Sequence, residues 1–492
     1  MVAHVLQAEA APQIVKIGAE RLAAGDRHNA REMFLGALNC DINAVGAWQG
    51  LAALAVGPDR YAASIALGRR ALALDPGSYS LKVNLGNALW RAQHFAESEA
   101  LLLEALAARP EEAACHQNIA LLYYSTGRAE LAVAHIEKAL GSLPDSAALR
   151  GDHAHMVLKT GDLARGLELL EVRWEGLLAK NPIWECGLPK WDGGKIAGSR
   201  VLLLHHEQGF GDTIQFVRFI PAIREAAGAE RVIFACPKAL MPLLAGQCGI
   251  DEVISDSDAG PIVNAARRAA YHCPLVSAVA VLRPSYDPDG VFENGVRVQV
   301  ARIDGVDCSH EIKPAPYLKA PAPTDRKFHF GGAKLAIGVC WGASMTPERG
   351  SQKSVRVEEL LDLGSLPGVR LWSLQFGPHA DELAPTAADI LIQPVHGGLG
   401  DFADTAAVID KLDLVVSIDT ATAHLAGALG KPVFMLNPIN PCWRWLHGPA
   451  PWYSTMRIFD QVEAGNWAAP IAAIKREIEE MLAVKAALEQ AA

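Results

Sequence analysis

Two kinds of hydrophobic pattern divide the chain. From about residue 200 onward, short and continuously apolar runs alternate with segments in which apolar residues recur at helical spacing. Continuous apolar runs are typical of parallel strands covered on both faces, and helical spacing is typical of the helices that cover them. This order predicts α/β structure with parallel sheets. The predicted strands are Arg200–Leu204, Val232–Ala235, Glu252–Ile254, Cys273–Val276, Leu335–Cys340, Val369–Gln375, Ile390–Gln393, Leu414–Ile418 and Val433–Leu436.

The N-terminal third instead repeats with a period of 34 residues. Prolines recur at this interval, at Pro76, Pro110 and Pro144, with Ile42 at the corresponding place in the first unit. Small residues recur at the same interval in three series: Gly18, Ala52, Gly86, Ala120 and Ala154; Ala30, Ser64, Ser98, Ala132 and Gly166; and Ala37, Ala71, Ala105 and Ala139. The pattern resembles the tetratricopeptide repeat and predicts an all-α solenoid of about five units over residues 11–180, the fifth degenerate. Such an array captures an extended protein or peptide, or it is a stabilising or oligomerising appendage.

Size and composition limit the classes of protein to consider. A chain of 492 residues exceeds one hydrophobic core, and we expect three domains, at 1–180, 181–330 and 331–492. The net charge of −10 argues against nucleic acid as the main partner. No apolar run approaches the roughly 18 residues of a membrane span, and the N-terminus lacks a targeting pattern. Nine cysteines without a CxxC pair indicate reduced thiols, so we expect a cytoplasmic protein and leave its oligomeric state open.

A polar turn lies between two of the predicted strands. It follows Leu414–Ile418, precedes a predicted helix at Ala423–Leu429, and consists of Asp419, Thr420, Ala421 and Thr422. The unpaired N–H groups and the positive dipole end of a helix start suit a phosphate or diphosphate. His424 would lie in the first turn of that helix, where its ring can donate to the same anion. In the alternative interpretation, Asp419 or Thr420 only caps the helix and His424 packs.

A glycine-bearing loop follows the first predicted strand of the middle domain. It is His205–Asp212, HHEQGFGD, and it precedes a helix predicted over Thr213–Ala226. Gly209 and Gly211 allow backbone and ligand to approach closely, but no third glycine completes a dinucleotide fingerprint. Asp212 would face the crevice at the carboxyl end of the strand, together with the loop residues Glu207 and Gln208. The alternative is an aspartate that only caps a helix.

The loop after Leu335–Cys340 carries cations. It begins at Trp341 and includes Arg349 and Lys353, which can meet phosphate oxygens; otherwise it is a solvated loop with ordinary surface charges. Further along, Trp443 and Trp445 flank an arginine. A base or sugar could stack on either ring, and plain packing is the alternative.

Two long strings resemble a known family. GDTIQFVRFIPAI (211–223) and SIDTATAHLAGALGKPVFML (417–436) resemble the bacterial heptosyltransferase-like glycosyltransferases, and the whole set, with WRWL, resembles the branch fused to tetratricopeptide repeats. That branch includes flagellin and other protein glycosyltransferases. The resemblance implies a fold of class α + α/β, in which the solenoid is followed by two Rossmann-like domains in GT-B arrangement. The middle domain would face the acceptor and the C-terminal domain would bind the nucleotide sugar.

The resemblance also implies roles for residues. The proposed base falls on Asp212, with His205, His206 and Glu207 as the remaining candidates. The donor-diphosphate turn falls on Asp419, Thr420, Ala421 and His424, and the basic residue on Lys353 or Arg349. Two departures matter: Ala421 replaces the glycine of DTGxAH, and Lys353-Ser354 replaces a frequent Arg-Ser.

The implied activity is that of a metal-independent, inverting glycosyltransferase without a cofactor. It would move a sugar from a nucleotide-activated donor to serine or threonine of a protein held by the repeats, such as flagellin. The sequence shows no carboxylate or histidine set at metal-ligand spacing. Two alternatives stay open: transfer to a lipid-linked or cell-surface glycan, and a non-catalytic repeat scaffold that senses nucleotide sugar.

Overall fold

A computed structural model describes most of the chain as two compact units. The described residues are 2–57, 60–175, 186–286, 292–293, 296–297, 301–303, 316–321, 332–343, 353–395, 399–445 and 452–491. The units are Met1–Met156 and Val157–Ala492. No described helix combines the length and the apolar character needed to span a bilayer.

The first unit is built from helices joined by short turns. The helices of this part of the chain are α1 (Val2–Ala23), α2 (Arg27–Cys40), α3 (Val45–Leu54), α4 (Tyr61–Leu74), α5 (Tyr79–Arg91), α6 (Phe95–Ala108), α7 (Ala113–Ser125), α8 (Ala129–Ser142) and α9 (Ala147–Lys159). The predicted all-α solenoid is confirmed.

The small-residue series mark the places where helices meet. A Cβ at Gly86 would lie 2.8 Å from Leu102 Cγ, and the series Ala37, Ala71, Ala105 and Ala139 is fully buried. Serine fits in the second series because its hydroxyl finds a partner: Ser98 Oγ donates to the Gly86 carbonyl at 2.7 Å. Ser64 makes the equivalent bond one repeat earlier. The small residues that repeat every 34 positions therefore lie where neighbouring helices pack closely together.

The second unit begins within the helical region. Helix α10 (Leu163–Leu169) and the 3₁₀ turn Leu170–Glu175 fold with this unit, and α10 packs against helix α15 (Leu275–Val281) of the middle domain. The domain limits at residues 180 and 330 remain predictions.

The middle domain contains a four-stranded parallel sheet in the order β3-β2-β1-β4. Its elements in chain order are β1 (Val201–His205), α11 (Phe210–Phe216), a 3₁₀ turn (Val217–Phe219), α12 (Ile220–Ala227), β2 (Arg231–Cys236), a 3₁₀ turn (Lys238–Leu240), α13 (Met241–Leu244), β3 (Glu252–Ser255), α14 (Ala259–Arg268), β4 (Tyr271–Pro274) and α15. Two antiparallel pairs follow: β5 (Pro284–Tyr286) with β8 (Ala301–Ile303), and β6 (Phe292–Glu293) with β7 (Val296–Arg297).

Two elements of this domain differ from the sequence expectation. The segment predicted as one helix over Thr213–Ala226 starts earlier, at Phe210, and is interrupted by the 3₁₀ turn. Pro221 has no N–H and its ring crowds the carbonyl four residues earlier, which breaks the α-helical bonding there. The strand predicted at Cys273–Val276 ends at Pro274, where the chain turns into α15.

The C-terminal domain contains a six-stranded parallel sheet in the order β11-β10-β9-β12-β13-β14. Its elements in chain order are β9 (Leu335–Cys340), a 3₁₀ turn (Val357–Leu360), α16 (Leu361–Gly364), β10 (Val369–Ser373), 3₁₀ turns (Gly377–Glu382 and Ala388–Ile390), β11 (Ile392–Pro394), α17 (Phe402–Ile409), β12 (Leu414–Ile418), α18 (Ala421–Ala428), β13 (Val433–Asn437), β14 (Met456–Asp460) and α19 (Ala468–Ala491). The helical region followed by parallel-sheet α/β domains confirms the predicted fold class.

Both sheets reverse their strand order next to their first strand. In the first sheet β2 and β4 flank β1, and in the second sheet β10 and β12 flank β9. Such a switch point opens a crevice at the carboxyl ends of the strands, where ligands of α/β proteins bind. The loops after β1, β9 and β12, which carry the predicted site residues, all start at these edges.

Candidate active site

The loop after β1, called here the GD loop (Glu207–Asp212), is held by its own aspartate. Asp212 Oδ2 accepts a hydrogen bond of 2.9 Å from the Gly209 N–H, so one carboxylate oxygen caps helix α11. The other oxygen, Oδ1, pairs with Arg444. Gln208, which is exposed, has a φ of 63°, in the left-handed region that side chains other than glycine rarely adopt. The capping role weighed for Asp212 is therefore present, and it occupies one oxygen.

Glu207 anchors the start of the GD loop. Its side chain is 3% exposed and accepts from Arg173 Nε at 2.7 Å and from a terminal nitrogen of the same guanidinium at 2.9 Å. The backbone N–H groups of Val276 and Ser277 donate to it as well. Burial raises the pKa of Glu207, and Arg173 works against that rise. These contacts place Glu207 behind the loop, where it fixes the backbone.

The two histidines before Glu207 are buried or half-buried and neutral. His205 Nε2 lies 3.2 Å from His272 Nδ1, and burial lowers the pKa of His205 to about 3. His206 Nδ1 contacts the Thr213 hydroxyl, and burial lowers its pKa to about 4. Among the predicted bases, Asp212 is the one whose carboxylate pairs with a residue of the C-terminal domain, Arg444.

The turn after β12, called here the DTATAH turn (Asp419–His424), opens helix α18. The helix starts at Ala421, two residues before the prediction, because Thr420 is its N-cap and its hydroxyl accepts from the Ala423 N–H at 3.4 Å. Ser417 Oγ lies 3.0 Å from the same hydroxyl. The first amides of the helix, at Ala421 and Thr422, thus lie at the carboxyl edge of the sheet.

Asp419 organises this turn. Lys353 Nζ donates to the Asp419 carbonyl at 3.0 Å and lies 3.3 Å from its carboxylate, while Trp445 Nε1 donates to Oδ1 at 2.7 Å. Burial alone would raise the pKa of Asp419, but Lys353 and His424 more than offset this and the pKa is lowered. Lys353 therefore lies beside the turn as predicted, with its charge already matched by Asp419.

His424 is buried in the first turn of α18. Its Nδ1 lies 2.8 Å from the Tyr453 hydroxyl and its Nε2 lies 4.0 Å from Asp419 Oδ1. The nearby carboxylate favours the tautomer with the proton on Nε2, in which Tyr453 donates to Nδ1. Burial lowers the pKa of His424 to about 4, so the ring is neutral at pH 7.

The GD loop and the DTATAH turn meet. A Cβ at Gly211 would lie 2.9 Å from His424 Cδ2 and 3.5 Å from Ala421 Cα, so only glycine fits there. Helix α11 packs against helix α18. Two stretches of sequence separated by about two hundred residues thus form one centre.

The remaining predicted site residues are packed in the interior or lie outside the described part of the chain. Trp341 is fully buried and donates from Nε1 to Glu382 at 2.9 Å. Trp443 and Trp445 are 3% and 0% exposed, the packed arrangement that we weighed against base stacking, and stacking stays a prediction. Arg349 lies outside the described residues. Within the part of the chain that the structure describes, His, Cys, Asp and Glu form no group of three or more that could hold a metal ion.

Arg444, Tyr453 and Arg173 complete the centre, and sequence reasoning assigned none of them to it. An arginine between two tryptophans was visible, but the pattern carried no sign that it meets Asp212. Arg173 lies in the degenerate fifth repeat unit, and this break in the repeat is the one sequence feature that could have led to its role.

Part of the chain matches a known glycosyltransferase family, and most of it is similar to a curated protein. Residues 397–437 match glycosyltransferase family 9 (heptosyltransferase). This stretch includes β12, the DTATAH turn, α18 and β13. Over 430 residues the chain is 26% identical to Protein FlbA of Caulobacter vibrioides (strain ATCC 19089 / CIP 103742 / CB 15), covering 83% of this chain and 68% of that protein.

Solved structures resemble parts of the chain. A thermophilic TPR protein of Thermus thermophilus is 21% identical with a TM-score of 0.31, over 35% of this chain and 93% of that chain. The protein pilF of Pseudomonas aeruginosa is 18% identical with a TM-score of 0.34, over 45% of this chain and 89% of that chain. Similarity at this level carries no conclusion about function.

Proposed function

We propose that this chain, which is a heptosyltransferase-like glycosyltransferase with tetratricopeptide repeats, moves a sugar from a nucleotide-activated donor to serine or threonine of a protein. The observation that carries the proposal is the contact between the GD loop and the DTATAH turn at Gly211 and His424. It brings a carboxylate, Asp212, and a helix start suited to an anion into one crevice.

The donor would bind chiefly to the C-terminal domain. Its diphosphate would lie at the start of α18, where the amides of Ala421 and Thr422 and the helix dipole favour negative charge. The Nε2–H of His424 donates to the same anion, and Lys353 adds a cation at the rim. These groups stabilise the leaving group without a metal ion.

The acceptor would react from the side of the GD loop. The acceptor oxygen attacks the anomeric carbon and forms the new C–O bond, while the bond between that carbon and the phosphate oxygen breaks. The hydroxyl proton passes to Asp212, and the nucleotide leaves with the electron pair. Inversion at the anomeric carbon is the expectation from the family resemblance.

The repeat array would hold the acceptor protein and raise its local concentration at the crevice. Support comes from a row of hydrogen-bonded polar side chains that passes between alternate helices. Asn87 donates to Asn118 at 2.6 Å, and Gln117 donates to Asp152 at 3.3 Å. Amide and carboxylate groups in such a row can pair with the backbone of an extended peptide.

Donor binding is tested by thermal shift with a panel of nucleotides and nucleotide sugars, including cytidine monophosphate conjugates. A ligand that binds only the folded state raises its melting temperature with affinity. A cytidine monophosphate donor would carry one phosphate and would change the diphosphate assignment. Hydrolysis of a nucleotide sugar by the protein would exclude the non-catalytic scaffold, whereas no shift and no hydrolysis across the panel would contradict the proposal.

The base is tested by Asp212→Asn. This variant should keep nucleotide binding and lose about 10²–10⁴-fold in turnover, because general-base assistance is lost while the anion site stays intact. A near-normal rate would transfer the role to His205, His206 or Glu207.

The acceptor class is tested by deletion. Removing residues 1–156 should abolish transfer to a protein acceptor, with flagellin as the first to try, and should leave transfer to a glycan unaffected. Removing residues 1–180 is the informative comparison, because it also deletes Arg173 and leaves buried Glu207 without its cation. Protein transfer that survives the shorter deletion would contradict capture of the acceptor by the repeats. Transfer to a glycan with no transfer to any protein would favour the glycan alternative.

A further inference from the structure

We propose that Arg444 is a further catalytic residue, the cation that meets the departing phosphate; this rests on the proposed function and names the group that stabilises its leaving group. Neither the matched family stretch, 397–437, nor the cation expected from the sequence includes Arg444.

Arg444 lies between the two loops. Its guanidinium pairs with Asp212 Oδ1, donates from Nε to Gln215 Oε1 at 2.7 Å, and lies 4.1 Å from the centre of the Trp443 ring. Trp452 Nε1 donates to the Arg444 carbonyl at 3.1 Å and fixes the backbone. The side chains of Arg444 and Asp212 are 11% and 19% exposed, so the pair is largely shielded from water.

The next residue ties Arg444 to the anion side. Trp445 donates to Asp419, and its ring lies 4.9 Å from that of His424. The guanidinium also interacts electrostatically with Asp419 and His424, besides Asp212. Arg444 therefore interacts both with the proposed base, Asp212, and with residues at the start of α18, where the phosphate would lie.

The other groups near the start of α18 provide no free positive charge for the phosphate. His424 is neutral and offers a hydrogen bond only, and the charge of Lys353 is matched by Asp419. Arg444 is matched by Asp212 as long as that carboxylate is ionised. When Asp212 takes the proton of the acceptor hydroxyl, its negative charge disappears and the charge of Arg444 becomes available.

This timing favours the transition state over the ground state. The guanidinium gains its strongest interaction as the bond to the phosphate oxygen breaks and negative charge grows there. The proton rests on Asp212, the electron pair leaves with the nucleotide, and Arg444 faces the new charge. In the simpler alternative, Arg444 only orients Asp212.

Pyrophosphate binding and turnover together separate the two roles. We would measure the affinity for inorganic pyrophosphate by calorimetry in the full-length wild type, Arg444→Gln, Asp212→Asn and the double variant. If Arg444 meets phosphate once the charge of Asp212 is removed, Arg444→Gln should weaken binding about 10- to 100-fold in the Asp212→Asn background, as expected for a lost bond to a charged group. In the wild-type background, where Asp212 already pairs with the guanidinium, the loss should be smaller. The double variant should also turn over nucleotide sugar more slowly than Asp212→Asn.

A control variant and the double variant separate a specific effect of Arg444 from a general loss of folding. Arg268→Met removes an arginine from a surface pair far from the crevice in sequence and should change neither quantity. In the double variant an amide faces an amide, so no buried charge is left alone if Arg444→Gln itself folds poorly. Unchanged pyrophosphate affinity in the double variant relative to Asp212→Asn, with equal turnover, overturns the proposal in favour of a positioning role. A wild type that binds no pyrophosphate also overturns it, and its nucleotide-sugar turnover then decides whether the proposed function survives.

Discussion

Removing the arginine that holds Glu207 should destabilise the transferase unit strongly. Arg173 and Glu207 are 7% and 3% exposed and share two hydrogen bonds, at 2.7 and 2.9 Å. In Arg173→Met the carboxylate keeps the backbone donors at Val276 and Ser277 and loses its only charged partner among the described residues. Breaking a buried pair from one side costs about 3–5 kcal/mol. We therefore expect a fall in melting temperature of roughly 6–20 °C.

The assay compares three variants by thermal denaturation at pH 7. Arg268 forms an equally short two-bond pair with Glu252 in the same domain, but the two side chains are 37% and 30% exposed. Arg268→Met should cost at most about 1 kcal/mol, because water screens the pair and replaces it. The double variant Arg173→Met/Glu207→Gln should recover at least half of the loss, since it removes the stranded charge and keeps an acceptor for the backbone.

Two results would refute this reasoning. One is an Arg173→Met variant that is no less stable than Arg268→Met, which would mean that Glu207 does not depend on its arginine. The other is a double variant as unstable as Arg173→Met, which would attribute the loss to the other contacts of the arginine, such as its pair with Glu171, and not to Glu207.

Three further predictions concern the crevice and its surroundings. Gly211→Ala would put a methyl group 2.9 Å from His424 Cδ2; it should separate the two loops and lower turnover, whereas Gly260→Ala, whose Cβ meets nothing within 4 Å, should leave turnover unchanged. Tyr453→Phe removes the donor to His424 Nδ1; it should cost about 1–3 kcal/mol in urea denaturation and weaken pyrophosphate binding, and wild-type behaviour in both would contradict the assigned tautomer. His205 and His424 have pKa values of about 3 and about 4 in the folded protein, against 6.5 for a histidine in the unfolded chain. Below pH 6.5 the unfolded chain therefore binds more protons than the folded protein, and the free energy of unfolding falls as the pH drops toward 4. At pH 5 each histidine should lower the free energy of unfolding by about 2 kcal/mol. Urea denaturation at pH 7 and pH 5 measures this loss, and equal stability at the two values would contradict it.

Strand positions could be predicted from the sequence because a strand buried on both faces appears as a continuous apolar run. Leu335–Cys340 and Leu414–Ile418 have the predicted bounds, since each run is fully or almost fully buried and ends at a polar or glycine-containing loop. Helix starts were less predictable. Helix α18 starts at Ala421 and α11 at Phe210, because capping by Thr420 and Asp212 admits two or three more residues to each helix. Sequence pattern alone does not fix which residue a cap selects.

The candidate site was likewise predictable only in part. The two loops were predicted because each follows a buried strand, and parallel strands present their carboxyl ends at one edge. The pairings were not predictable: Asp212 and Arg444 are 232 residues apart, and Glu207 and Arg173 are 34 apart but belong to different elements. The order of charged residues along the chain does not show which cation pairs with which carboxylate, because this depends on how helices and sheets pack.

The GD loop and the segment before Arg444 are held by cations from the helical region of the chain. Arg173 holds the start of the GD loop through Glu207, and Lys159 donates to Asn440 at 2.7 Å and to the Pro441 carbonyl at 3.0 Å, just before the segment that carries Arg444. The ammonium of Lys159 is poorly solvated, and this burial lowers its pKa to about 8. Both residues follow Met156, the last residue of the first compact unit. The helical segment from Val157 to Glu175 therefore belongs to the structure that positions the GD loop and the segment before Arg444, and a deletion meant to remove only the repeats should end before it.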